Sequence, residues 1–310
     1  MKFVNGTASD RYDVVVVGSG AGALTAAATV ARAGKSVVVL EKSALLGGTS
    51  AVSGGMLWIA DNHHARKAGI TDSKEAAASY VRAVARGRGR ADLLDAALEY
   101  GDQMLRFVEA ECGVRFIFLD NFPDYRQDLP GAVAGGRTVE PELFNSKVAL
   151  GALTAHVRTD GRAPFTMQEY ENWGAFTKFP WDDLNQRQAD GLVAKGQALV
   201  SMLLASLVRD GAALVTGARG HRLLTDGSRV TGVELEGGEV VPADVVMVGI
   251  GVVPRGDLAA QLGLESINGA VVVDEFAQTS RPGVVAAGDS VLLPHPLGGG
   301  MQVRLESVQN

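Results

Sequence analysis

One segment near the N-terminus constrains the fold of this 310-residue chain more than any other. A β-branched run over residues 13–17 ends at a glycine-rich turn, residues 18–23, and an alanine-rich stretch follows over 24–33. A second apolar run over 36–40 then ends in Glu41. Short runs of Val and Leu without polar alternation are typical of parallel strands that are buried on both faces. The order strand, turn, helix, strand therefore predicts the first βαβ unit of an α/β fold.

The spacing of small residues in the turn predicts a nucleotide-binding site. Gly18 permits a sharp turn off the first strand, and Gly20 lets the backbone lie against a pyrophosphate without an intervening Cβ. Ala23 stands where a third small residue allows close packing of helix on strand, and the helix N-terminus attracts phosphate. Glu41, about 20 residues further on, can accept hydrogen bonds from a ribose diol. The predicted contacts are Gly18, Ser19, Gly20, Ala21, Gly22, Ala23 and Glu41; a βαβ unit that binds no nucleotide is the alternative.

A second glycine-rich loop follows the acidic residue within a few positions. It reads Glu41-Lys42, then Gly47-Gly48-Thr49-Ser50-Ala51, then Ser53-Gly54-Gly55 and Trp58. This pattern resembles the flavoproteins of the fumarate reductase/3-ketosteroid Δ1-dehydrogenase family. The resemblance implies that FAD is the cofactor. It also implies contacts to ribose, pyrophosphate and the flavin edge from Lys42, Gly48, Thr49, Ser50, Ser53, Gly54 and Gly55.

The family resemblance extends over about residues 11–236 and implies a discontinuous FAD-binding domain. We predict an α/β fold in which residues 1–64 and 191–310 form a Rossmann-like FAD-binding domain, a parallel sheet with a β-hairpin. Apolar spacing predicts two helices at the start of the intervening segment, residues 65–190. Most of the aromatic residues of the chain also lie in this segment. It is therefore predicted to be an inserted α+β cap over an apolar pocket.

One tyrosine of the predicted cap is a candidate catalytic residue. The sequence Phe122-Pro-Asp-Tyr125 and the segment after it resemble the entry to the substrate domain of ketosteroid dehydrogenases. The resemblance implies that Tyr125 assists proton abstraction. A phenol with an ordinary pKa of about 10 needs help to act as a base, and the sequence does not indicate which group would help it.

The C-terminal segment, about residues 243–310, resembles a different group of flavoproteins, the flavin-dependent ferredoxin reductases. In that resemblance Gly288-Asp289 forms a turn at a strand end, where the carboxylate accepts a hydrogen bond from the ribityl chain of FAD. A second glycine fingerprint for a nicotinamide cofactor does not occur between residues 130 and 235. The long second portion of the dehydrogenase substrate domain is also missing. The chain therefore resembles a fusion of two flavoprotein halves.

Composition excludes several other functions. The net charge of −6 and the lack of a basic stripe argue against nucleic acid as a partner. We expect no membrane span, because no apolar run approaches about 18 residues, and no signal peptide is evident. A single cysteine suits a reducing compartment, so we predict a cytoplasmic protein. We predict no metal site for two reasons: the adjacent His63 and His64 would point to opposite faces if they lay in a strand, and no second pair of ligands has suitable spacing.

Together these features predict an FAD-dependent oxidoreductase. By resemblance, it would transfer a hydride to or from a small apolar substrate with an activated carbonyl, as in the dehydrogenation of a CH–CH bond of a ketosteroid. The external electron acceptor is not indicated by the sequence. Two alternatives remain: an NAD(P)H-dependent ferredoxin reductase-like protein, and an FAD-binding module without turnover.

Overall fold

The structure is a computed structural model that describes residues 2–6, 11–174, 178–294 and 302–303. The chain divides into two compact units, residues 1–250 and 251–310. The helices and strands of the first unit are β1 (Lys2–Asn5), β2 (Tyr12–Val17), α1 (Ala21–Arg32), β3 (Val37–Leu40), β4 (Leu57–Trp58), α2 (His63–Lys67), α3 (Lys74–Ala85), α4 (Ala91–Ala110), β5 (Phe116–Leu119), β6 (Thr138–Pro141), β7 (Phe144–Asn145), α5 (Ser146–Leu150), α6 (Met167–Asn172), α7 (Trp181–Ala189), β8 (Leu192–Val193), α8 (Lys195–Arg209), β9 (Ala213–Thr216), β10 (Gly220–Asp226), β11 (Arg229–Leu235) and β12 (Val240–Val248).

The largest sheet of the first unit has seven strands in the order β1-β9-β3-β2-β12-β11-β10 among the described residues. Its centre, β9-β3-β2-β12, is parallel. Strand β1 pairs antiparallel with β9 at one edge, and β12, β11 and β10 form an antiparallel meander at the other. The carboxyl ends of β2, β3 and β12 therefore lie side by side, which is where α/β sheets bind their ligands.

The central strands are buried on both faces, as the apolar runs predict. In β2, Val14 and Val16 join the core beneath α1 and α8, whereas Val15 belongs to the core of the opposite face. Ala27 and Ala28 of α1 are fully buried, because the alanine-rich face lets the helix lie close to the sheet. The predicted α/β fold with a βαβ start is confirmed.

A second sheet has three strands in the order β4-β6-β5. Strands β5 and β6 and helices α3 and α4 lie in the segment predicted as the cap, residues 65–190, whereas β4 lies before it and α2 begins at His63. The predicted helices are confirmed as α3 and α4, and the turn between them is exposed. Among the described residues, no helix is both long and apolar enough to cross a membrane. The division into an FAD-binding domain and a cap at residues 65 and 190 stays a prediction.

A buried ionic cluster lies beside the three-stranded sheet. The Arg137 side chain, 1% exposed, forms bidentate hydrogen bonds to Asp72, with Nη2–Oδ1 2.6 Å and Nε–Oδ2 2.9 Å. Its Nη1 donates to Asp124 Oδ2 at 2.8 Å. The guanidinium also lies over the rings of Trp58 and Tyr80, 5.3 and 5.9 Å from their centroids. These five residues, the Arg137 cluster, tie α3 and β4 to the loop before β6.

The second unit contains α9 (Asp257–Gln261) and a four-stranded sheet among its described residues. The sheet strands are β13 (Ser266–Ile267), β14 (Ala270–Val272), β15 (Val291–Pro294) and β16 (Gln302–Val303). Ala259, Val271, Val273 and Val291 form its small core.

Candidate cofactor-binding site

The turn after β2 adopts a conformation that only glycine accommodates easily. Gly18 has φ +105°, and a Cβ built on it would lie 2.3 Å from the carbonyl oxygen of Gly249, just after β12. A Cβ on Gly249 would in turn lie 2.9 Å from the Cβ of Ala23 in α1. The ends of β2 and β12 and the first turn of α1 are thus in direct contact. Sequence reasoning identified Gly18 and Ala23 but did not assign a packing role to Gly249.

The first turn of α1 lies beside the second glycine loop. Gly20 is the N-cap of α1, and because it has no side chain it forms no side-chain cap itself. A Cβ on Gly48 would lie 3.8 Å from Gly20 Cα, and the amide of Ala21 donates to Ser50 Oγ at 3.0 Å. Gly22, next to them, is exposed, and a Cβ there would meet nothing within 4 Å. Helix N-termini carry unpaired amides and partial positive charge, so this place attracts an anion such as a pyrophosphate.

Ser19 joins the two halves of this site through its buried hydroxyl. Its Oγ donates to Glu41 Oε2 at 2.5 Å and accepts from the amide of Gly47 at 2.9 Å. Glu41, 7% exposed, also accepts from the amide of Ser43 through Oε1 at 2.9 Å. A carboxylate has about four acceptor positions, so two of them remain for a ribose diol. The residues 18–23, Glu41 and 47–55 are called the cradle below.

The second half of the cradle packs against the start of α8. A Cβ on Gly55 would lie 2.4 Å from the carbonyl carbon of Lys195, and one on Gly196 would lie 1.9 Å from Ser50 O. The amide of Gly196 donates to Ser53 O at 3.1 Å. Ser53 Oγ is occupied within the loop, donating to Ser50 O and accepting from the amide of Gly55.

Two cations lie beside this loop that sequence reasoning missed. The guanidinium of Arg162 donates to Val52 O at 2.5 Å, and Lys195 Nζ lies 3.6 Å from the centroid of the Phe165 ring. Burial, followed by the charge of Arg162, lowers the pKa of Lys195 to about 8. Lys195 has φ +58°, unusual for a residue with a side chain. That strain was not visible in the sequence, which has no glycine at this position.

The remaining predicted contacts lie in different surroundings. Lys42, Thr49 and Gly54 are exposed at the edge of the cradle. Gly288 and Asp289 form a turn before β15 in the second unit, where Asp289 is exposed. Their predicted contact with the ribityl chain therefore stays a prediction.

The candidate catalytic tyrosine lies on a surface loop. Tyr125 is 68% exposed, and its ring centroid lies 6.4 Å from that of Phe122. Its neighbour Asp124 is buried and bonded to Arg137 and to Trp58 Nε1. The Arg137 cluster therefore fixes the backbone on which the tyrosine is carried, while the phenol itself stays accessible.

The two adjacent histidines do not lie in a strand, so the first of the two reasons given for excluding a metal was wrong. Asn62 caps α2 with its side chain, and His63 and His64 are the first residues of that helix. Both rings contact the carboxylate of Glu109 on α4. Helix α2 is too short to show a periodic pattern, and the asparagine before the pair was the available signal for a helix start.

Comparison with known proteins identifies the family. Residues 13–294 match the family model described as FAD binding domain. The chain belongs to this family of FAD-binding flavoproteins, and the predicted resemblance to the fumarate reductase/3-ketosteroid Δ1-dehydrogenase flavoproteins and the predicted cofactor, FAD, are confirmed. The predicted resemblance of the C-terminal segment to ferredoxin reductases has only weak support. The cradle fits this cofactor, because a helix N-terminus that begins with glycine, with open space at Gly22, leaves room for a pyrophosphate.

Two relatives and one solved structure show how far the likeness extends. The chain is 66% identical over 254 residues to 4-oxocyclohexanecarboxylate 2-dehydrogenase of Sinomonas cyclohexanicum, covering 80% of this chain and 44% of that protein. It is 33% identical to the structure of 3-ketosteroid Δ1-dehydrogenase of Sterolibacterium denitrificans in complex with 1,4-androstadiene-3,17-dione, with TM-score 0.69 over 82% of this chain and 50% of that one. A segment of 82 residues is 50% identical to rhodocoxin reductase of Rhodococcus erythropolis, 26% of this chain and 19% of that protein. The chain spans less than half the length of the curated dehydrogenases that it matches.

Proposed function

We propose that this chain is part of an FAD-dependent dehydrogenase that acts on a CH–CH bond next to the carbonyl of a cyclic ketone. The observation that carries the proposal is the 66% identity to 4-oxocyclohexanecarboxylate 2-dehydrogenase over 80% of the chain. Bound FAD supplies the hydride acceptor for such a reaction. The residues of the chain would bind and orient the cofactor and provide a group that accepts the substrate proton.

The proposed roles of the chain's own residues follow from their positions. The backbone of the turn 18–23 and the N-terminus of α1 hold the pyrophosphate, and Glu41 holds the adenosine ribose. The loop 47–55 contacts the pyrophosphate and the flavin edge. Tyr125, in its phenolate form, would accept the proton from the carbon next to the substrate carbonyl; its exposure leaves the phenolic oxygen accessible to a ligand.

Within this reaction class we propose that the substrate is a small ring that carries a carboxylate, in preference to a neutral ketosteroid. Lys195 and Arg162 lie beside the cradle loop, and since Arg162 is ion-paired with Asp160, Lys195 is the cation that remains for a substrate anion. A substrate carboxylate gains a charge-assisted hydrogen bond from such a group, whereas a steroid ketone has no anion to offer. A reductase that takes electrons from NAD(P)H is the second candidate, favoured by the 82-residue match to rhodocoxin reductase.

Steady-state reduction of a dye separates these candidates. FAD-loaded protein is mixed with 4-oxocyclohexanecarboxylate, with 4-androstene-3,17-dione, or with NADH, and the bleaching of dichlorophenolindophenol is followed. We expect the fastest turnover with 4-oxocyclohexanecarboxylate. Turnover only with the steroid would reassign the substrate, and rapid turnover with NADH would favour the reductase. A yellow protein that is inactive with all three would leave an FAD-binding module without turnover.

Lys195 provides a sharper test of the carboxylate. In the variant Lys195→Met we expect KM for 4-oxocyclohexanecarboxylate to rise by at least tenfold, while KM for the uncharged 4-methylcyclohexanone stays within twofold. Arg255→Met, which removes a cation of the second unit, is the matched control. An equal rise of KM for both ketones would show that Lys195 does not recognise the carboxylate.

A further inference from the structure

We propose that His63, His64 and Glu109 form a binding site for a divalent cation of the zinc class, with Asp102 as the positioning residue of His63. One ligand atom from each of the three residues lies within 4.8 Å of the other two. This site lies between α2 and α4, and the proposal does not depend on the proposed dehydrogenase activity.

The two imidazoles converge on a single carboxylate. His63 Nε2 lies 2.9 Å from Glu109 Oε2, and His64 Nε2 lies 2.7 Å from Glu109 Oε1. The two rings are tilted by 34° with centroids 4.1 Å apart, and both Nε2 atoms contact the Glu109 carboxylate. Zinc bound at about 2.0–2.2 Å by tetrahedral ligands needs ligand atoms about 3.3 Å apart. The Nε2–O separations of 2.9 and 2.7 Å are shorter than this, so small side-chain rotations would open the place for a cation.

Asp102 gives His63 the arrangement that is found around bound zinc. His63 Nδ1 lies 2.8 Å from Asp102 Oδ1, and the same oxygen accepts from the backbone amide of His63 at 2.7 Å. A histidine ligand commonly donates its second ring N–H to a carboxylate, which fixes the tautomer and the orientation of the ring. With Nδ1 donating to Asp102, a cation at Nε2 would take the place of the proton that the contact with Glu109 otherwise requires.

Both oxygens of the Asp102 carboxylate are engaged. Oδ1 accepts from His63, and Oδ2 pairs with Arg66 and Arg106. They leave Glu109 as the carboxylate that faces the imidazoles.

The donor set selects the class of cation. Two imidazole nitrogens and one carboxylate suit zinc and related transition metals, whereas magnesium and calcium prefer oxygen ligands alone. The side chains of His63, His64 and Glu109 are 19, 24 and 22% exposed, so a cation can enter from solvent and keep water as a further ligand. Phe118 stacks on His64 with ring centroids 6.0 Å apart, which limits the freedom of that ring.

Titration with zinc tests the site directly. FAD-loaded full-length protein, free of any affinity tag and stripped with a chelator, is titrated with ZnCl2 by calorimetry. We expect one equivalent bound with micromolar affinity or better. His64→Gln and Glu109→Gln should each weaken binding by at least tenfold, and Asp102→Asn by tenfold or more through loss of ring orientation. His221→Gln, on the exposed strand β10, is the matched control and should bind zinc like the wild type.

Thermal melting supplies a second readout that does not depend on the variants. A cation that links α2 to α4 binds only the folded chain, so zinc should raise the melting temperature of the wild-type protein. Absence of zinc binding at 100 µM would overturn the proposal. Equal binding by the wild type and by both ligand variants would also overturn it, and the histidines and Glu109 would then be a hydrogen-bonded structural contact only.

Discussion

The cradle and the Arg137 cluster are two polar regions of the same unit, and they are built in opposite ways. The cradle presents backbone amides on glycines, and its positive potential comes from the end of α1. The Arg137 cluster instead buries one guanidinium between two carboxylates whose side chains are 2% exposed. In the cradle, polar groups are left available for a ligand; in the cluster, they satisfy one another. A backbone site is therefore sensitive to added volume, and a buried ionic site is sensitive to lost charge.

The largest effect should come from removing the charge at the centre of the cluster. Arg137→Met leaves the carboxylates of Asp72 and Asp124 buried and unpaired, so we expect the free energy of unfolding to fall by about 3–5 kcal/mol. Urea unfolding measures it. The matched control, Arg115→Met, breaks an exposed pair with Glu142 and should cost less than about 1 kcal/mol. Equal losses in the two variants would contradict the contrast drawn here.

Added volume in the cradle should remove the cofactor but leave the fold. Gly20 has φ −68°, and a Cβ there meets only Ser50 Oγ at 3.4 Å, so the chain tolerates a side chain. In Gly20→Val that side chain occupies the space of the pyrophosphate. We expect a folded, colourless protein that retains no FAD on gel filtration, whereas Gly237→Val, in an open surface turn, stays yellow. A yellow Gly20→Val protein would show that the phosphate lies elsewhere.

Loss of one charged contact in the cradle should have a smaller effect. Glu41→Ala would remove the proposed hydrogen bonds to the ribose, worth on the order of 1.5–3 kcal/mol each, so FAD affinity should fall at least tenfold. Since Glu41 also accepts from Ser19 and Ser43, Glu41→Gln is the informative partner variant: it keeps the shape and polar character of the side chain. Fluorescence titration with FAD measures both. Unchanged affinity in Glu41→Ala would mean that the acid only supports the loop.

The smallest effect should be a loss of stability at acid pH. Burial opposes the charged form of Asp72, but hydrogen bonds from Arg137 and its charge lower the pKa of Asp72 below the ordinary value. Its contribution to stability is therefore fully present above the unfolded pKa of about 3.9 and is lost as the pH falls through the lower, folded value. One such proton gives a slope of at most about 1.4 kcal/mol per pH unit. Urea unfolding between pH 2 and 5 should show this slope in the wild type and a flatter one in Asp72→Asn, relative to each protein's stability at pH 5.

The sequence predicts the cradle because its signal is local. Buried Val runs, small residues at fixed spacing and Glu41 all fall within one βαβ unit, and the structure places them at adjacent strand ends. The Arg137 cluster has no such signal, since Asp72 lies 65 residues before Arg137 and Asp124 lies 13 before it. From the sequence alone, an isolated aspartate or arginine is expected to lie at the surface. Lys195 was missed for the same reason, because its neighbours Arg162 and Phe165 come from a distant loop.

Ser19 has a consequence for how the cofactor is received. Its hydroxyl connects the turn after β2 to Gly47, 28 residues away, and to Glu41. The two loops are thereby held in place by a side chain of the protein itself. The conformational entropy of these loops is lost when the chain folds, so ordering them does not weaken the binding of the cofactor. We therefore expect FAD to bind the cradle without a preceding step in which these two loops become ordered.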